Sequence, residues 1–235
     1  MSIFYFKHFH LHQSNSLLKV GTDAMIFGSS IDIDDDCKSI LDIGSGTGVL
    51  ALMIAQKNLQ STIDAIEIDE KSCIDASLNF KESIWSERIS LIQSDVKTHI
   101  FSKQYDLIVA NPPYYENAYF NDLNLKHTAK HNELKLSICD LFEIVSKNLS
   151  ENGFFWVILP VYNFDKWTSF ANQLELYLTK RINIYGKPDS IIRVIGRFSR
   201  KNTGIISSSI TIRDAKGQYT EEYKRLTIDY HNKKL

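Results

Sequence analysis

A short apolar segment that runs into three alternating glycines constrains the fold of this chain more than any other feature. Residues 39–43 read as a buried strand, Gly44, Gly46 and Gly48 follow, and residues 49–57 have the composition of a helix. Glycine has no Cβ atom, so such a loop tolerates positive φ and lets a ligand approach the backbone, while the N–H groups at the helix start point outward. This unit is typical of a nucleotide-binding α/β fold.

The spacing of these glycines distinguishes two kinds of ligand. A nicotinamide-binding loop has the pattern Gly-x-Gly-x-x-Gly, whereas here the third glycine comes one residue early, at Gly48. This difference argues against a dehydrogenase. A second strand-like run, residues 62–68, carries Glu67 near its end, at a distance from the glycines that suits an acid accepting hydrogen bonds from ribose hydroxyls. The sequence therefore predicts a site for a nucleoside without a pyrophosphate.

The tetrapeptide Asn111-Pro112-Pro113-Tyr114 follows another apolar run, residues 105–110. The amide oxygen of Asn111 and the carbonyl of Pro112 can accept hydrogen bonds from a planar amino group, and Tyr114 can stack on the ring that carries this group. The two prolines fix the local conformation and have no N–H that competes for the carbonyl. We interpret the motif as a clamp for an amino group. The alternative is an ordinary proline turn after a strand.

With these motifs in this order, the chain resembles the class I S-adenosylmethionine-dependent methyltransferases that carry Asn-Pro-Pro-Tyr and methylate amino groups. Within that group it is most similar to the tRNA adenine-N6 methyltransferases that modify position 37 of a valine tRNA, the adenine after the anticodon. Residues 4–9, residues 19–26 and the double tyrosine within residues 111–115 carry this similarity. The resemblance implies S-adenosylmethionine as cofactor and tRNA as substrate.

The resemblance also implies roles for residues at the carboxyl ends of the predicted strands, where ligands of such sheets bind. Asn111, Pro112, Pro113 and Tyr114 would be catalytic and would hold an adenine amine for in-line methyl transfer. The residues implied for the cofactor are Thr22, Asp23, Asp42, Gly44, Ser45, Gly46, Gly48, Glu67, Ile68, Asp95, Val96 and Asn111. For Asp23 and Asp95, a helix N-cap remains an open alternative.

Strand-like and helix-like runs alternate along the chain in the order expected of a doubly wound, Rossmann-like α/β domain. Strands are predicted at 39–43, 62–68, 89–93, 105–110, 153–159, 179–185, 191–198 and 205–212, and helices at 49–57, 134–149 and 163–178. The resemblance implies a seven-stranded, mostly parallel sheet with an antiparallel last hairpin. We predict a single domain, in which residues 1–38 close over cofactor and substrate, 39–160 bind the cofactor and 161–235 complete the sheet.

Composition and charge limit the class of protein. The 235 residues are 43% hydrophobic and 23% charged, as in one ordinary globular domain. No apolar stretch approaches the length of a membrane span and the N-terminus lacks the basic-then-apolar pattern of a secretory signal, so we expect a cytoplasmic protein. We also expect a monomer. From Lys180 onward, thirteen Lys and Arg face five Asp and Glu, which indicates either a solvated surface or contact with RNA phosphates. The predicted RNA contacts are Lys126, Lys130, Arg193, Arg197, Arg200 and Lys201.

Two groups of histidines raise a metal site as an alternative. His8, His10 and His12 alternate, so a strand would place all three on one face. A zinc site of this kind needs a further ligand, and the sequence shows none at metal spacing. His127 and His131 lie in a basic segment that we interpret as a flap over RNA. We therefore predict no metal.

Other functions remain open at this point. A release-factor glutamine has the same type of NH2 group, but the resemblance for that glutamine-N5 methyltransferase family includes a helical domain ahead of the glycines, and only forty-one residues precede Asp42 here. Methylation of a ribosomal RNA adenine would keep the chemistry and change the substrate. A non-catalytic RNA-binding domain is a third possibility, against which Asp42, the glycines, Glu67 and Asn111 count.

Overall fold

The computed structural model describes residues 2–16, 18–112 and 136–232 of the chain. In chain order, the strands and helices are β1 (Ile3–Tyr5), β2 (His10–His12), α1 (Thr22–Ser30), β3 (Ser39–Ile43), α2 (Val49–Lys57), β4 (Thr62–Glu67), α3 (Glu70–Glu82), β5 (Ile89–Gln93), β6 (Tyr105–Ala110), α4 (Ile138–Asn148), β7 (Leu149–Pro160), α5 (Phe164–Gln173), β8 (Tyr177–Lys187), β9 (Ser190–Ser199), β10 (Ile206–Thr211) and α6 (Glu221–Thr227). Helices alternate with strands through the middle of the chain, as predicted.

Within these described residues, eight strands form one sheet in the order β10-β8-β9-β7-β6-β3-β4-β5. The strands are parallel except β9, which runs antiparallel to both β7 and β8. This arrangement confirms the doubly wound, mostly parallel sheet. The count of seven implied by the resemblance was one too few. All eight strand-like runs predicted from the sequence lie in the sheet, including 205–212, which corresponds to β10 parallel to β8. Most of β10 is exposed, since it is an edge strand.

Several predicted boundaries were wrong; α4, for example, begins at Ile138 and not at 134. Two others have clear local reasons. β7 begins at Leu149, directly after α4, and not at Gly153. The glycine serves close packing instead, since a Cβ atom at this position would lie 2.9 Å from the carbonyl oxygen of Tyr105. Helix α5 ends at Gln173, several residues before the predicted 178, and Glu175 adopts the left-handed φ of 56° that turns the chain into β8.

Two hydrophobic clusters of described residues cover the two faces of the sheet. The first cluster joins the β1–β2 hairpin to α1, α2, α3 and α6, and includes Ile26, Met53 and Tyr223. The second lies under α4 and α5, with Phe142 and Trp167 as members. Because strand side chains alternate between faces, the helices on both sides bury a sheet whose central strands are almost continuously apolar.

The N-terminal segment is built into the first cluster. The strands β1 and β2 pair antiparallel, with Ile3 opposite His12, and β2 packs against α3. Phe6, Phe9 and Leu11 are buried in the cluster, and Phe6 forms an isolated bridge with His231. Helix α1 then packs against α2 and α6. No helix in the described ranges is long and apolar enough to cross a membrane.

Candidate active site

Parallel pairing brings the ends of four neighbouring strands to one edge of the sheet. β5, β4, β3 and β6 lie side by side in parallel register. Gly44 follows the last residue of β3, Glu67 ends β4, and Asp95 and Asn111 come after β5 and β6. Adjacent strands are about 4.8 Å apart, so these four positions span about 14 Å. That length suits an extended ligand lying across the strand ends.

The three glycines between β3 and α2 have different tasks. All three have left-handed φ values: 70° at Gly44, 56° at Gly46 and 80° at Gly48. A Cβ atom at Gly44 or Gly46 would meet nothing within 4 Å, whereas one at Gly48 would lie 2.3 Å from the ring of Phe80. The first two glycines therefore leave an open surface that a ligand can occupy. The third allows α3 to pack against the start of α2.

The carboxylate of Glu67 is held against this loop by backbone N–H groups. Its Oε2 atom accepts a hydrogen bond from Gly46 at 2.8 Å, and its Oε1 atom accepts from Ile68 and Asp69, both at 2.8 Å. An ionised carboxylate has about four acceptor positions, so one remains for a ligand hydroxyl. The side chain of Ile68 is 49% exposed and offers an apolar surface beside it.

Asp42 is the most unusual group near the glycine loop. It lies in β3, its exposure is 0%, and neither carboxylate oxygen has a hydrogen-bond partner within the part of the chain that the structure describes. The hydroxyl oxygen of Ser45 is in the same situation. Burial raises the pKa of Asp42 to about 7, the nearby backbone N–H of Ala51, beyond hydrogen-bond geometry, offsets this in part, and the charge of Glu67 raises the pKa further. A buried polar group without a partner is costly, so this acid fits a site that a ligand with N–H donors completes.

We expect Asp42→Asn to change how stability depends on pH. The pKa of Asp42 rises from 3.8 to about 7 on folding, so its favourable contribution is fully present below about pH 4 and is lost as the pH rises through about 7. Three pKa units correspond to about 4 kcal/mol at most. The gain in free energy of unfolding of the variant over the unchanged chain should therefore be larger at pH 8 than at pH 5. Urea unfolding without cofactor measures it. The exposed Asp35→Asn serves as control, and equal pH dependence in all three proteins would contradict the raised pKa.

Asn111 and Pro112 extend the end of β6 at the centre of this edge. Ala110, the last residue of β6, is fully buried and pairs with Ile43 of β3, so Asn111 emerges beside Gly44. Asn111 is half-buried and Pro112 is buried. The proposed clamp for an amino group stays a prediction, because the structure describes only its first half. The predicted site residues outside the described ranges are Pro113, Tyr114, Lys126, Lys130, His127 and His131.

Asp23 is held at the same edge by an ion pair, and Thr22 precedes it as the first residue of α1. Gly21, and not Asp23, is the N-cap residue of α1, so the N-cap alternative for Asp23 is wrong. The Oδ2 atom of Asp23 instead accepts a hydrogen bond from Nε of Arg193 at 2.8 Å. Arg193 lies opposite Pro160, the last residue of β7. The pair therefore fastens the start of α1 beside the strand ends.

Asp95 shapes the turn after β5. Its Oδ1 atom accepts a hydrogen bond from the backbone N–H of Lys97 at 2.9 Å, and its carbonyl accepts from Thr98 and His99. No helix of the described residues begins there, so Asp95 caps a turn and not a helix. Val96 packs against the second hydrophobic cluster. Both residues lie at the end of the strand next to Glu67, where a flat ring could bind.

Besides Arg193, three further predicted RNA contacts have structural partners. Arg197 lies over the ring of Phe154 at 4.6 Å, and Arg200 donates to the carbonyl oxygen of Leu149 at 3.1 Å, just after α4. Lys201 donates a hydrogen bond to Asn152 at 2.6 Å. Because β9 is antiparallel, Arg200 and Lys201 lie at the sheet edge opposite Asn111. The geometry therefore does not support Arg200 and Lys201 as phosphate contacts for a substrate at the glycine-loop edge, and Arg197 lies midway along β9, opposite Trp156.

A polar face of α3, missed from the sequence, supports the loop. Asp75, Asn79 and Glu82 follow one another at helical spacing and all bind the N-terminal segment. Asp75 accepts from the backbone N–H groups of Asn15 and Ser16 at 2.9 and 2.8 Å. Burial acts to raise the pKa of Asp75, but the hydrogen bonds from Ser16 and Asn15 outweigh it and lower the pKa.

Asn79 connects this segment to the glycine loop. It accepts the N–H of His12 at 2.6 Å, and its amide nitrogen donates to the carbonyls of His12 and Thr47, both at 2.9 Å. Its exposure is 1%. The signal was present in the sequence, because Asp75 and Asn79 occupy helix positions adjacent to the apolar stripe around Ala76. Polar residues at buried helix positions indicate specific partners.

Comparisons with known proteins agree with this geometry. Residues 19–159 match the methyltransferase small domain family. A curated tRNA1(Val) (adenine(37)-N6)-methyltransferase from Flavobacterium psychrophilum is 36% identical over 234 residues, covering 98% of this chain and 100% of the relative. One of the same name from Haemophilus influenzae is 35% identical over 237 residues, covering 99% and 100%. Among solved structures, a predicted O-methyltransferase from Agrobacterium tumefaciens has a TM-score of 0.68 at 14% identity, covering 89% of this chain and 97% of that one, and so shares the fold.

Proposed function

The chain belongs to the methyltransferase small domain family and, within it, to the family of the tRNA1(Val) (adenine(37)-N6)-methyltransferases, and we propose that it methylates N6 of adenine 37 in a valine tRNA. Its cofactor is S-adenosylmethionine, as the resemblance implied. The similarity runs over 97% or more of the chain at 34–36% identity and carries the proposal. It covers both the glycine loop and Asn111.

The residues around the glycine loop fit this cofactor. S-adenosylmethionine, when bound, supplies a methyl group activated by a positively charged sulfur. The buried carboxylate of Asp42, without a partner among the described residues, offers acceptors for the ammonium end of the methionine part. Glu67 keeps one acceptor position for the ribose, and Ile68 and Asp95 flank it on the adenine side. The open space beside Gly44 and Gly46 allows the ligand to lie against the backbone.

Asn111 and Pro112 orient the amine that is methylated. An adenine amine is a poor nucleophile, because its lone pair is delocalised into the ring. Two acceptors, the Asn111 amide oxygen and the Pro112 carbonyl oxygen, favour a pyramidal nitrogen whose lone pair is localised on nitrogen and directed at the methyl group. Tyr114 would stack on the base, which must first leave its RNA stack. As the methyl–nitrogen bond forms, the methyl–sulfur bond would break and leave a neutral thioether, and the positive charge passes to the nitrogen, which then loses a proton to water. Orientation and fixed dipoles therefore supply the catalysis and no strong base is needed.

The proposed site lies within one chain, which supports action as a monomer. A tRNA substrate supports a cytoplasmic location. Of the RNA contacts proposed from the sequence, Arg193 lies at the correct edge and also holds Asp23 at 2.8 Å, so its role includes positioning α1. Lys126 and Lys130 remain proposed phosphate contacts in the segment after the Asn-Pro-Pro-Tyr motif.

Methyl transfer to purified substrates tests the proposal. We expect labelled methyl from S-adenosylmethionine to enter valine tRNA carrying adenine 37, and nucleoside digestion to release N6-methyladenosine. The matched control is the same tRNA with guanine at position 37, which should accept no methyl. Release factor and ribosomal RNA serve as competing substrates. Label in the release factor alone would establish glutamine methylation instead, and cofactor binding without transfer to any of the three would favour a non-catalytic RNA-binding domain.

A further inference from the structure

Three side chains that can ligate a metal ion converge where the β1–β2 hairpin meets α3. His10 and His12 lie two residues apart in β2, so their imidazoles lie on the same side of the strand, and Leu11 between them is buried. Glu82 is the last residue of α3. Its Oε2 atom accepts hydrogen bonds from Nε2 of His10 at 2.8 Å and from Nε2 of His12 at 2.9 Å.

We propose that His10, His12 and Glu82 bind one zinc ion, with a fourth position open to water. Two imidazoles and one carboxylate form a ligand set that zinc accepts. The three ligand atoms lie within 4.8 Å of one another. In a tetrahedral site with bonds of about 2.1 Å, ligand atoms are about 3.4 Å apart, so the two short contacts must open by about half an ångström. The side chain of Glu82 is 41% exposed at a helix end and can make this shift.

The sequence could not show this set, because its third ligand comes from a helix seventy residues away. Alternation predicted that His8 would share a face with His10 and His12, but His8 lies before β2 and outside the cluster. The ligand that the sequence lacked is Glu82. The prediction of no metal depended on the absence of a further ligand, and the structure supplies one in Glu82.

His10, His12 and Glu82 contribute little to the stability of the fold. Exposed ion pairs of this kind contribute about 0–1 kcal/mol. The hairpin is already fastened by buried Leu11 and by the hydrogen bonds between Asn79 and the backbone of His12. Without a metal, a single oxygen atom accepts both N–H groups, which holds the protons of both rings on Nε2. Zinc would take the place of these two protons and bind both nitrogens at once.

The position of the site suggests a structural role. Asn79, one helical turn before Glu82, also donates to the carbonyl of Thr47 between Gly46 and Gly48. An ion bound by His12 and Glu82 would therefore hold the hairpin on the part of α3 that supports the glycine loop. Its ligands are separate from Asn111 and the other groups proposed to hold the amine.

Zinc binding to the metal-stripped full chain tests the site. A His127→Gln/His131→Gln background removes the other histidine pair, and competition with a chromophoric chelator reports affinity. We expect one zinc per chain, and at least about tenfold weaker binding after His10→Gln or Glu82→Gln. The exposed neighbours His8→Gln and Glu87→Gln, which make matched changes, should bind as the background protein does. Cobalt should show the absorption of a tetrahedral ion in the background protein and in these two controls, but not in the His10→Gln or Glu82→Gln variants.

Thermal unfolding gives a second measurement. Zinc at about a hundredfold excess over its dissociation constant should raise the unfolding temperature by about 5 to 10 °C when all three ligands are present. Circular dichroism of the metal-free variants separates loss of a ligand from loss of fold. Absence of one-to-one binding, or equal affinity in Glu82→Gln and Glu87→Gln, would overturn the site. Neither measurement uses methyl transfer, so the outcome is independent of the proposed function.

Discussion

Asn111→Ala is expected to lower the rate of methyl transfer by about three orders of magnitude while cofactor affinity stays within about threefold of the unchanged enzyme. The side-chain oxygen of Asn111 is proposed to accept a hydrogen bond from the amine only in the reacting geometry, and β6 holds the residue in place independently through Ala110 and Ile43. Single-turnover transfer to valine tRNA at saturating cofactor measures the rate, and calorimetry with S-adenosylmethionine measures the affinity.

Two variants show whether the oxygen acceptor is responsible. Asn111→Asp keeps an oxygen that can accept from the amine and should retain more activity than Asn111→Ala. Asn152→Ala makes the same truncation at an exposed position near the start of β7, at the other edge of the sheet, and should leave the rate unchanged. Full turnover in Asn111→Ala would remove the residue from the mechanism.

Glu67→Ala is expected to lower cofactor affinity about a hundredfold while the rate of methyl transfer at saturating cofactor changes much less. Hydrogen bonds to a charged acceptor contribute about 1.5–3 kcal/mol each, and the ribose would lose its bond to this carboxylate. The backbone N–H of Gly46, 2.8 Å from Oε2, would also lose its partner, so the glycine loop becomes less ordered. Calorimetry with S-adenosylmethionine measures the loss of affinity.

The catalytic step should largely survive the change at Glu67, because Asn111 is untouched. We expect transfer at saturating cofactor to recover to within about tenfold of the unchanged enzyme. Glu70→Ala, in the first turn of α3 and exposed, removes the same charge nearby and should leave affinity as it was. Unchanged affinity in Glu67→Ala would mean that the cofactor lies elsewhere on the sheet edge.

Local pattern was sufficient where strands are buried on both faces. The predicted boundaries of β3, α2, β5 and β6 agree with the structure residue for residue. Central parallel strands are continuous apolar runs between turn residues, which makes them easy to recognise. The pattern failed where packing decides the conformation. The end of α5 depends on Glu175 with φ of 56°, and Gly153 is required by the neighbouring Tyr105 carbonyl.

The candidate site likewise contains residues that the sequence could predict and contacts that it could not. The loop glycines, Glu67 and Asn111 belong to short motifs, so their residue types and their positions at strand ends were predictable. Contacts between distant segments were not. Asp23 meets Arg193 across 170 residues, and Asp75 and Asn79 meet a hairpin about sixty residues before them. Such pairings depend on the strand order and on how the helices pack. Neither can be inferred from local patterns in a single sequence.

The bridge between Phe6 and His231 sets an order of events during synthesis. The backbone that pairs with Phe6, including the carbonyl of Tyr230 that accepts from Lys7, is synthesised more than two hundred residues later. At about 5–20 residues per second, this interval takes about ten to forty seconds. For that time the aromatic segment around Phe6 lacks its final backbone partner.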